Sequence, residues 1–273
     1  MQSDYLQHPD FDPVALSLGV IDIRWYGIMY LLGAAFAYWF GSKRAEKHPL
    51  WTKEQWQDLV FWAFLALVIG GRVGYVFFYQ FESFLQNPMY LFNFRAGGMS
   101  FHGGLLGVIV ALYFYGKRMG LNIWQVGDFV APMVPVGLGL GRIGNFINGE
   151  LWGRVTDVPW AMVFVHGGPF PRHPSQLYQA FGEGLLLFVV LFWFSRQQRP
   201  VGAIGGLFLL GYGSARFVVE YFREPDGHLG ILGIFSMGQW LSLPMIIAGL
   251  AMLILAYKKN IFAPNTSAQG KSS

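Results

Sequence analysis

The sequence predicts an all-α polytopic integral membrane protein of seven transmembrane helices, with its N-terminus outside and its C-terminus in the cytoplasm. Three observations carry this prediction. Charged residues make up 12% of the chain, roughly half the share found in soluble domains, so a water-facing surface is hard to build from it. Apolar runs recur along the chain, each near the length of about 20 residues that a spanning helix needs. Basic clusters alternate between the ends of those runs, as membrane topology requires.

Seven runs qualify: Trp25–Gly41, Trp56–Tyr79, Ser100–Tyr115, Ile123–Gly141, Leu177–Ser195, Gly202–Tyr221 and Gly238–Tyr257. The second is expected to be interrupted at Gly70, Gly71 and Arg72. The fourth carries Pro132 and Pro135 among glycines and is expected to kink. Residues 81–95 mix Phe, Asn and Pro and read as an interfacial segment. The longest outer connection, Arg142–Gln176, contains PWAMVFVHGGPFPRHP, which reads as a small hairpin or loop cap over the membrane. Residues 263–273 are polar and small and are expected to be disordered. No polar stretch is long enough for a separate soluble domain. The chain divides into an outer N-terminal segment (1–22), one membrane domain (23–257) with an insert at about 142–176, and a cytoplasmic tail (258–273). Residues 1–20 hold no Lys or Arg, so no cleavable signal is expected.

KRAEKH at 43–48 with Lys53, GKR at 116–118, RQQR at 196–199, and YKKN at 257–260 with Lys271 all fall at alternate ends of the runs. By the positive-inside rule these ends are cytoplasmic. Topology thus accounts for the net charge of +4, and nucleic acid is not expected as a partner. The absence of cysteine removes disulfides, thiolate metal sites and a Cys nucleophile together. The six histidines show no zinc-ligand spacing, and neither metal nor cofactor is expected.

The remaining eight basic residues are all arginine: Arg24, Arg72, Arg95, Arg142, Arg154, Arg172, Arg216 and Arg223. Arginine offers a planar, permanently charged fork that grips phosphate or carboxylate through two bonds. An outer half furnished only with arginine therefore points to an anion. Ionisable groups at membrane depth are costly, so each needs a partner or a task. Arg216 and Glu220 are four apart and share a helix face. They read either as an internal ion pair that ties helices together or as part of a ligand site. Glu183 lies one turn into the fifth run. His102, in SFHGGLLG, reads either as a turn residue beside glycines or as a base that titrates near neutrality. His173, in HPS, reads as a turn and helix start. Tyr26, in RWYG, is an interfacial anchor by default.

GRIGNFINGELWGR at 141–154 gathers these themes. Its glycines permit tight turns, Arg142 and Arg154 bring charge, and Asn145, Asn148 and Glu150 bring oriented hydrogen-bonding groups. Trp152 suits the headgroup level. The cluster describes a pocket for an anionic headgroup, most simply a phosphate, with an apolar way in for acyl chains.

That segment closely resembles the signature of the bacterial prolipoprotein diacylglyceryl transferases. RWYGIMYLLG, GGRVGYVFFY, SFHGGLLG, HPSQLYQAFGEG and RFVVEYFREPD resemble the family's other blocks, in the family's order, and the likeness runs from about Asp22 to Tyr257. The resemblance implies a seven-span enzyme of the bacterial inner membrane, with N-terminus, cap and active site on the periplasmic side. It implies transfer of the diacylglyceryl group of phosphatidylglycerol to the thiol of the lipobox cysteine in a prolipoprotein signal peptide, with release of glycerol phosphate. This is the first step of lipoprotein maturation. It implies roles by residue: Arg142 and Arg216 as a phosphate-binding pair, His102 as catalytic base, and Tyr26, Asn145, Glu150, Gly153 and Glu220 as further members of the site.

The residues suit that chemistry. The thiolate is the reactive form of a thiol, and a chain without cysteine must find it in the substrate. The departing phosphate gains negative charge, which preorganised arginines stabilise. Two other classes remain open on residues alone. A transporter would use broken helices and midmembrane charges, although no internal repeat is visible. A structural subunit would pair its arginines with acids only.

Overall fold

The computed structural model describes residues 5–19, 22–93, 97–224, 231–232 and 235–259. Arg95, Lys271 and the tail expected to be disordered lie outside the described residues. Each of the seven apolar runs lies on a helical segment, and a few short strands accompany them. Among the described residues, four helices are long and apolar enough to cross a membrane: Lys53–Tyr79, Ile123–Ile147, Ser175–Phe194 and Met237–Lys258.

In chain order the elements are β1 (Leu6–Gln7), β2 (Val14–Ser17), β3 (Asp22–Arg24), α1 (Trp25–Ala45), α2 (Lys53–Tyr79), α3 (Phe81–Gln86), α4 (Phe101–Arg118), α5 (Ile123–Val130), α6 (Val134–Ile147), β4 (Met162–Val163), α7 (Ser175–Gln179), α8 (Leu187–Phe194), α9 (Ala203–Val219), β5 (Ile231–Leu232), β6 (Phe235–Ser236) and α10 (Met237–Lys259). Between α5 and α6 the expected kink takes the form of a 3₁₀ turn at Ala131–Met133 that contains Pro132. Between α7 and α8 the helix widens to a π-helical stretch over Ala180–Leu186. Two compact units emerge, one of Met1–Ala37 with Asp128–Ala263 and one built on Tyr38–Gly127.

In the Tyr38–Gly127 unit, α2 starts at a capping box between Thr52 and Gln55, which satisfies two otherwise orphaned amides. The expected break at Gly70, Gly71 and Arg72 does not occur; α2 runs unbroken to Tyr79. The glycines serve packing instead. Gly70 and Gly74 of α2 face Gly103 and Gly107 of α4, and a Cβ on Gly74 would stand 2.8 Å from the Gly103 Cα. Two small-xxx-small faces thus bring the backbones together where lipid offers no hydrophobic drive. Arg72 is 1% exposed. Its guanidinium donates to the carbonyls of Tyr90, Leu91, Asn93 and Gly97 at 2.6–3.0 Å. Of the segment 81–95, read as interfacial, the described residues 81–93 form α3 and a 3₁₀ turn at Pro88–Phe92 that Arg72 ties to α2.

In the other unit, the π-helical stretch lies against α6 at closest range where Gly184 meets Gly139. A Cβ on Gly184 would stand 2.7 Å from the Gly139 Cα. α9 and α10 approach in the same way, with Gly206 near the Gly249 carbonyl. Ala131, Leu187, Leu191 and Ile204 form a buried apolar cluster. Asp128 accepts hydrogen bonds from the amides of Gly202 (2.6 Å) and Gly205 (2.7 Å), so its carboxylate satisfies the first amides of α9, where negative charge is favoured. Within the segment after α6, Met162 and Arg172 pair antiparallel through two backbone hydrogen bonds, a short hairpin-like pairing inside a longer loop. β4 pairs in parallel with β1, and isolated bridges join Gly153 to Arg223 and Val155 to Arg172.

Candidate active site

α6 carries Arg142 and Asn145 into its last two turns, then gives way to a tight loop. Gly149 has φ +63° and Leu151 φ +58°. A bulky residue in that region is strained, and the start of α7 holds it in place. Gln176 Nε2 donates to the Glu150 carbonyl at 2.6 Å and Ser175 Oγ to the Leu151 carbonyl at 3.0 Å. Both side chains are wholly buried. From the other side His8 is buried against Phe146 and Phe164, with its Nε2 2.6 Å from the Phe146 carbonyl. The Glu150 carboxylate accepts from Asn145 Nδ2 at 2.9 Å and from Asn148 Nδ2 at 3.3 Å.

Beside this loop lies a chain of alternating charges. Glu183 sits inside the π-helical stretch and is 0% exposed. Arg142 approaches one of its oxygens at 3.7 Å and Arg216 the other at 3.8 Å. Arg216 reaches Glu220 at 3.0 Å, and Glu220 meets Arg223 at 3.6 Å. A Cβ on Gly238 would stand 2.6 Å from the Glu220 carboxyl carbon, so the start of α10 presses on that group. Among the described residues, three arginines and two carboxylates make up this chain. The contacts to Glu183 are ion pairs but not hydrogen bonds, since neither of its oxygens has a hydrogen-bond partner among the described residues. The guanidinium forks of Arg142 and Arg216 therefore flank one shared carboxylate while keeping donors for a second acceptor.

Of the residues singled out in the sequence, Arg142, Arg216 and Glu220 come together in this chain of charges, and Asn145 with Glu150 in the adjoining loop. Tyr26 packs its ring on Gly144, where a Cβ would stand 3.0 Å from Cδ2, and its hydroxyl lies 3.0 Å from that of Tyr30. Gly153 bridges to Arg223, and a Cβ there would collide with Phe222 and His173 backbone atoms. Its role is close approach. His102 belongs to the Tyr38–Gly127 unit. It is the second residue of α4, exposed, and Ser100 caps that helix through the Gly103 amide. It lies within a helix, not in a turn.

The arginines do not share one task. Arg72 is given over to backbone carbonyls. Arg172 binds the Gly167 and Gly153 carbonyls and Glu224, and Arg154 binds the Arg223 carbonyl. Among the arginines that meet acids, Arg142, Arg216 and Arg223 share the Glu183–Glu220 chain, whereas Arg172 meets Glu224 outside it. Missing from the expected site were Glu183 and its neighbours Gln176 and Gln179. The signal was present in HPSQLYQAFGEG, three polar side chains at helical spacing on one face of an apolar run.

The opposite face of the same helix lines an apolar cavity of about 830 Å³ against α9, with Leu177, Tyr178, Phe181, Gly211, Ala215 and Val218 among its walls. At its rim Trp160 Nε1 donates to the Tyr178 hydroxyl at 2.7 Å, and that hydroxyl lies 3.1 Å from His173 Nδ1. Burial holds His173 below the ordinary histidine range, so its neutral ring can accept from Tyr178. His173 directly precedes α7, as expected of a turn and helix start.

The chain is thus of the membrane-protein class, an apolar helical body that holds a part-buried arginine–carboxylate chain on one face of a helix and an apolar cavity on the other. The comparison with known proteins is more specific. A model of the prolipoprotein diacylglyceryl transferase family matches residues 13–255, and the chain belongs to that family. It is 59% identical to the phosphatidylglycerol–prolipoprotein diacylglyceryl transferase of Idiomarina loihiensis over 94% of this chain and 97% of that protein. It is 60% identical to the protein so named from Aliivibrio fischeri strain MJ11, over 96% and 94%. With the one from Vibrio campbellii it shares 56% identity over 99% and 100%.

Proposed function

We propose that the chain transfers the diacylglyceryl group of phosphatidylglycerol to the thiol of a lipobox cysteine in a prolipoprotein signal peptide and releases glycerol phosphate. The names of its relatives support the substrates. The observation that carries the chemistry is the placement of Arg142 and Arg216 on either side of Glu183.

In this reading the substrate thiol loses its proton to His102. The thiolate attacks the glycerol carbon that bears the phosphate, a C–S bond forms, and the C–O bond to phosphate breaks. The electron pair stays with the phosphate, which leaves as a monoester with added negative charge. Arg142 and Arg216 meet that charge with donors fixed in a dry site, where such an arrangement lowers a barrier by several kcal/mol. Asn145, Glu150, Gly153 and Glu220 hold the lipid or the loop around it, and Tyr26 braces Gly144. The apolar cavity beside α9 suits an acyl chain.

The same reading makes 23–257 a single catalytic domain of seven spans in the bacterial inner membrane, with the site, cap and N-terminus on the periplasmic side. The alternation of Lys and Arg clusters supports that sidedness. The deciding assay mixes purified protein, phosphatidylglycerol and a peptide containing a lipobox cysteine. A diacylglyceryl mass gain on the thiol is expected. No gain, with folded protein and lipid bound, overturns the proposal.

A further inference from the structure

Gln179 ends α7, and its side chain is wholly buried. Neither its Nε2 nor its Oε1 has a hydrogen-bond partner among the described residues. Such a group costs its full desolvation unless something pairs with it. Its surroundings show where it points. Gln176, three residues earlier on the same face, holds the Glu150 carbonyl. Glu183, four residues later on that face, takes Arg142 and Arg216. Leu177, Tyr178 and Phe181 face away, into the apolar cavity. The free carboxamide therefore stands between the Glu150 loop and the arginine pair.

A carboxamide presents a donor and an acceptor side by side. Two hydroxyls on neighbouring carbons complement it, since each can donate and accept. A phosphodiester esterified to glycerol carries such a diol a few bonds from its phosphate. We propose that Gln179 is a headgroup-binding residue that pairs with the diol of a glycerol phosphodiester lipid and selects it over lipids of equal charge without hydroxyls. This rests on the reading of Arg142 and Arg216 as the phosphate-binding pair.

The test uses the full-length protein in detergent, with native mass spectrometry to compete phosphatidylglycerol against phosphatidylpropanol of matched acyl chains. The wild type is expected to prefer phosphatidylglycerol about tenfold, the worth of a satisfied buried polar group. Gln179→Leu is expected to bind both lipids within about twofold and, without lipid, to unfold at a higher temperature than the wild type. Gln179→Met repeats the measurement should the branched side chain not fit. Equal binding by the wild type, or a preference retained in the folded variants, overturns the proposal. So does a weaker affinity for the lipobox peptide with lipid preference intact, which would give the amide to the peptide backbone. Arg142→Ala and Arg216→Ala are measured in parallel and should lose both lipids alike. If they keep both while Gln179→Leu loses selectivity, the phosphate reading fails and the diol assignment stands.

Discussion

Arg142 Nε stands 3.7 Å from Oε2 of Glu183, a carboxylate with no exposed surface. Charge contact without a hydrogen bond is an unfinished arrangement. It holds the guanidinium in place while leaving its fork able to take another oxygen anion.

Removing the shared carboxylate should therefore be costly. Glu183→Ala leaves two part-buried arginines without the carboxylate between them and is expected to lose up to about 3 kcal/mol, the lower end of the cost of deleting one partner of a buried pair. Thermal unfolding in detergent reads this loss. An anionic lipid should raise the midpoint of the variant more than that of the wild type, and an equal rise would speak against anion binding there.

The shape of the arginines should matter as well as their charge. Arg142→Ala and Arg216→Ala are expected to insert normally but to lose roughly 100- to 1,000-fold in transfer rate, the scale seen when a preorganised donor is removed. Arg142→Lys should also be poor, because the fork is lost. Full activity in the lysine variant would reduce the role to charge alone.

His102→Asn separates proton transfer from binding. The transfer rate is expected to fall by about 100-fold or more, within the range for a general base, with phosphatidylglycerol binding little changed. If binding falls in proportion to rate, His102 holds the lipid instead.

The contact between α6 and the π-helical stretch predicts a packing effect that involves no charged side chain directly. Gly184→Ala would place a methyl group 2.7 Å from the Gly139 Cα. It is expected to cost about 1–3 kcal/mol through overpacking. Since Glu183 is the adjacent residue, activity should fall more than stability alone explains. A variant as active and as stable as the wild type would contradict the close approach.

Acid should weaken the fold through His48. Burial, with Arg44 adding to it, brings this half-buried ring from 6.5 down to about 4, and its Nδ1 accepts from the Leu50 amide. Between those values the unfolded chain binds more protons than the folded one. The stability contributed by the neutral ring is thus complete above the unfolded value and is lost as pH falls toward 4. The effect is modest for a ring partly screened by solvent. His48→Gln should flatten the melting temperature against pH in that window.

Periodic apolar runs were enough to place every long helix, because the bilayer sets their length and leaves few alternatives. The ion pair of Arg216 with Glu220 was legible from spacing four on one helix. What the sequence hid depends on tertiary context. A glycine pair such as Gly70 and Gly74 reads equally as a break or as a packing face, and the partner glycines on α4 decide it. An arginine looks the same whether it holds a carbonyl, as Arg154 does, or an acid, as Arg142 does. The π-helical widening that turns Glu183 toward both arginines has no spacing signature, since one inserted residue leaves the apolar run intact.

Arg72 shows how a single side chain can stand in for solvent. Carbonyl groups outside a helix or sheet normally depend on water, which thins out as a chain sinks toward lipid. The carbonyls of Tyr90, Leu91, Asn93 and Gly97 instead converge on one guanidinium. The stretch carrying Phe81, Leu85, Met89 and Phe92 can then turn its side chains outward with its main chain already hydrated from within. An irregular segment provisioned in this way can rest at the edge of a bilayer as securely as a helix.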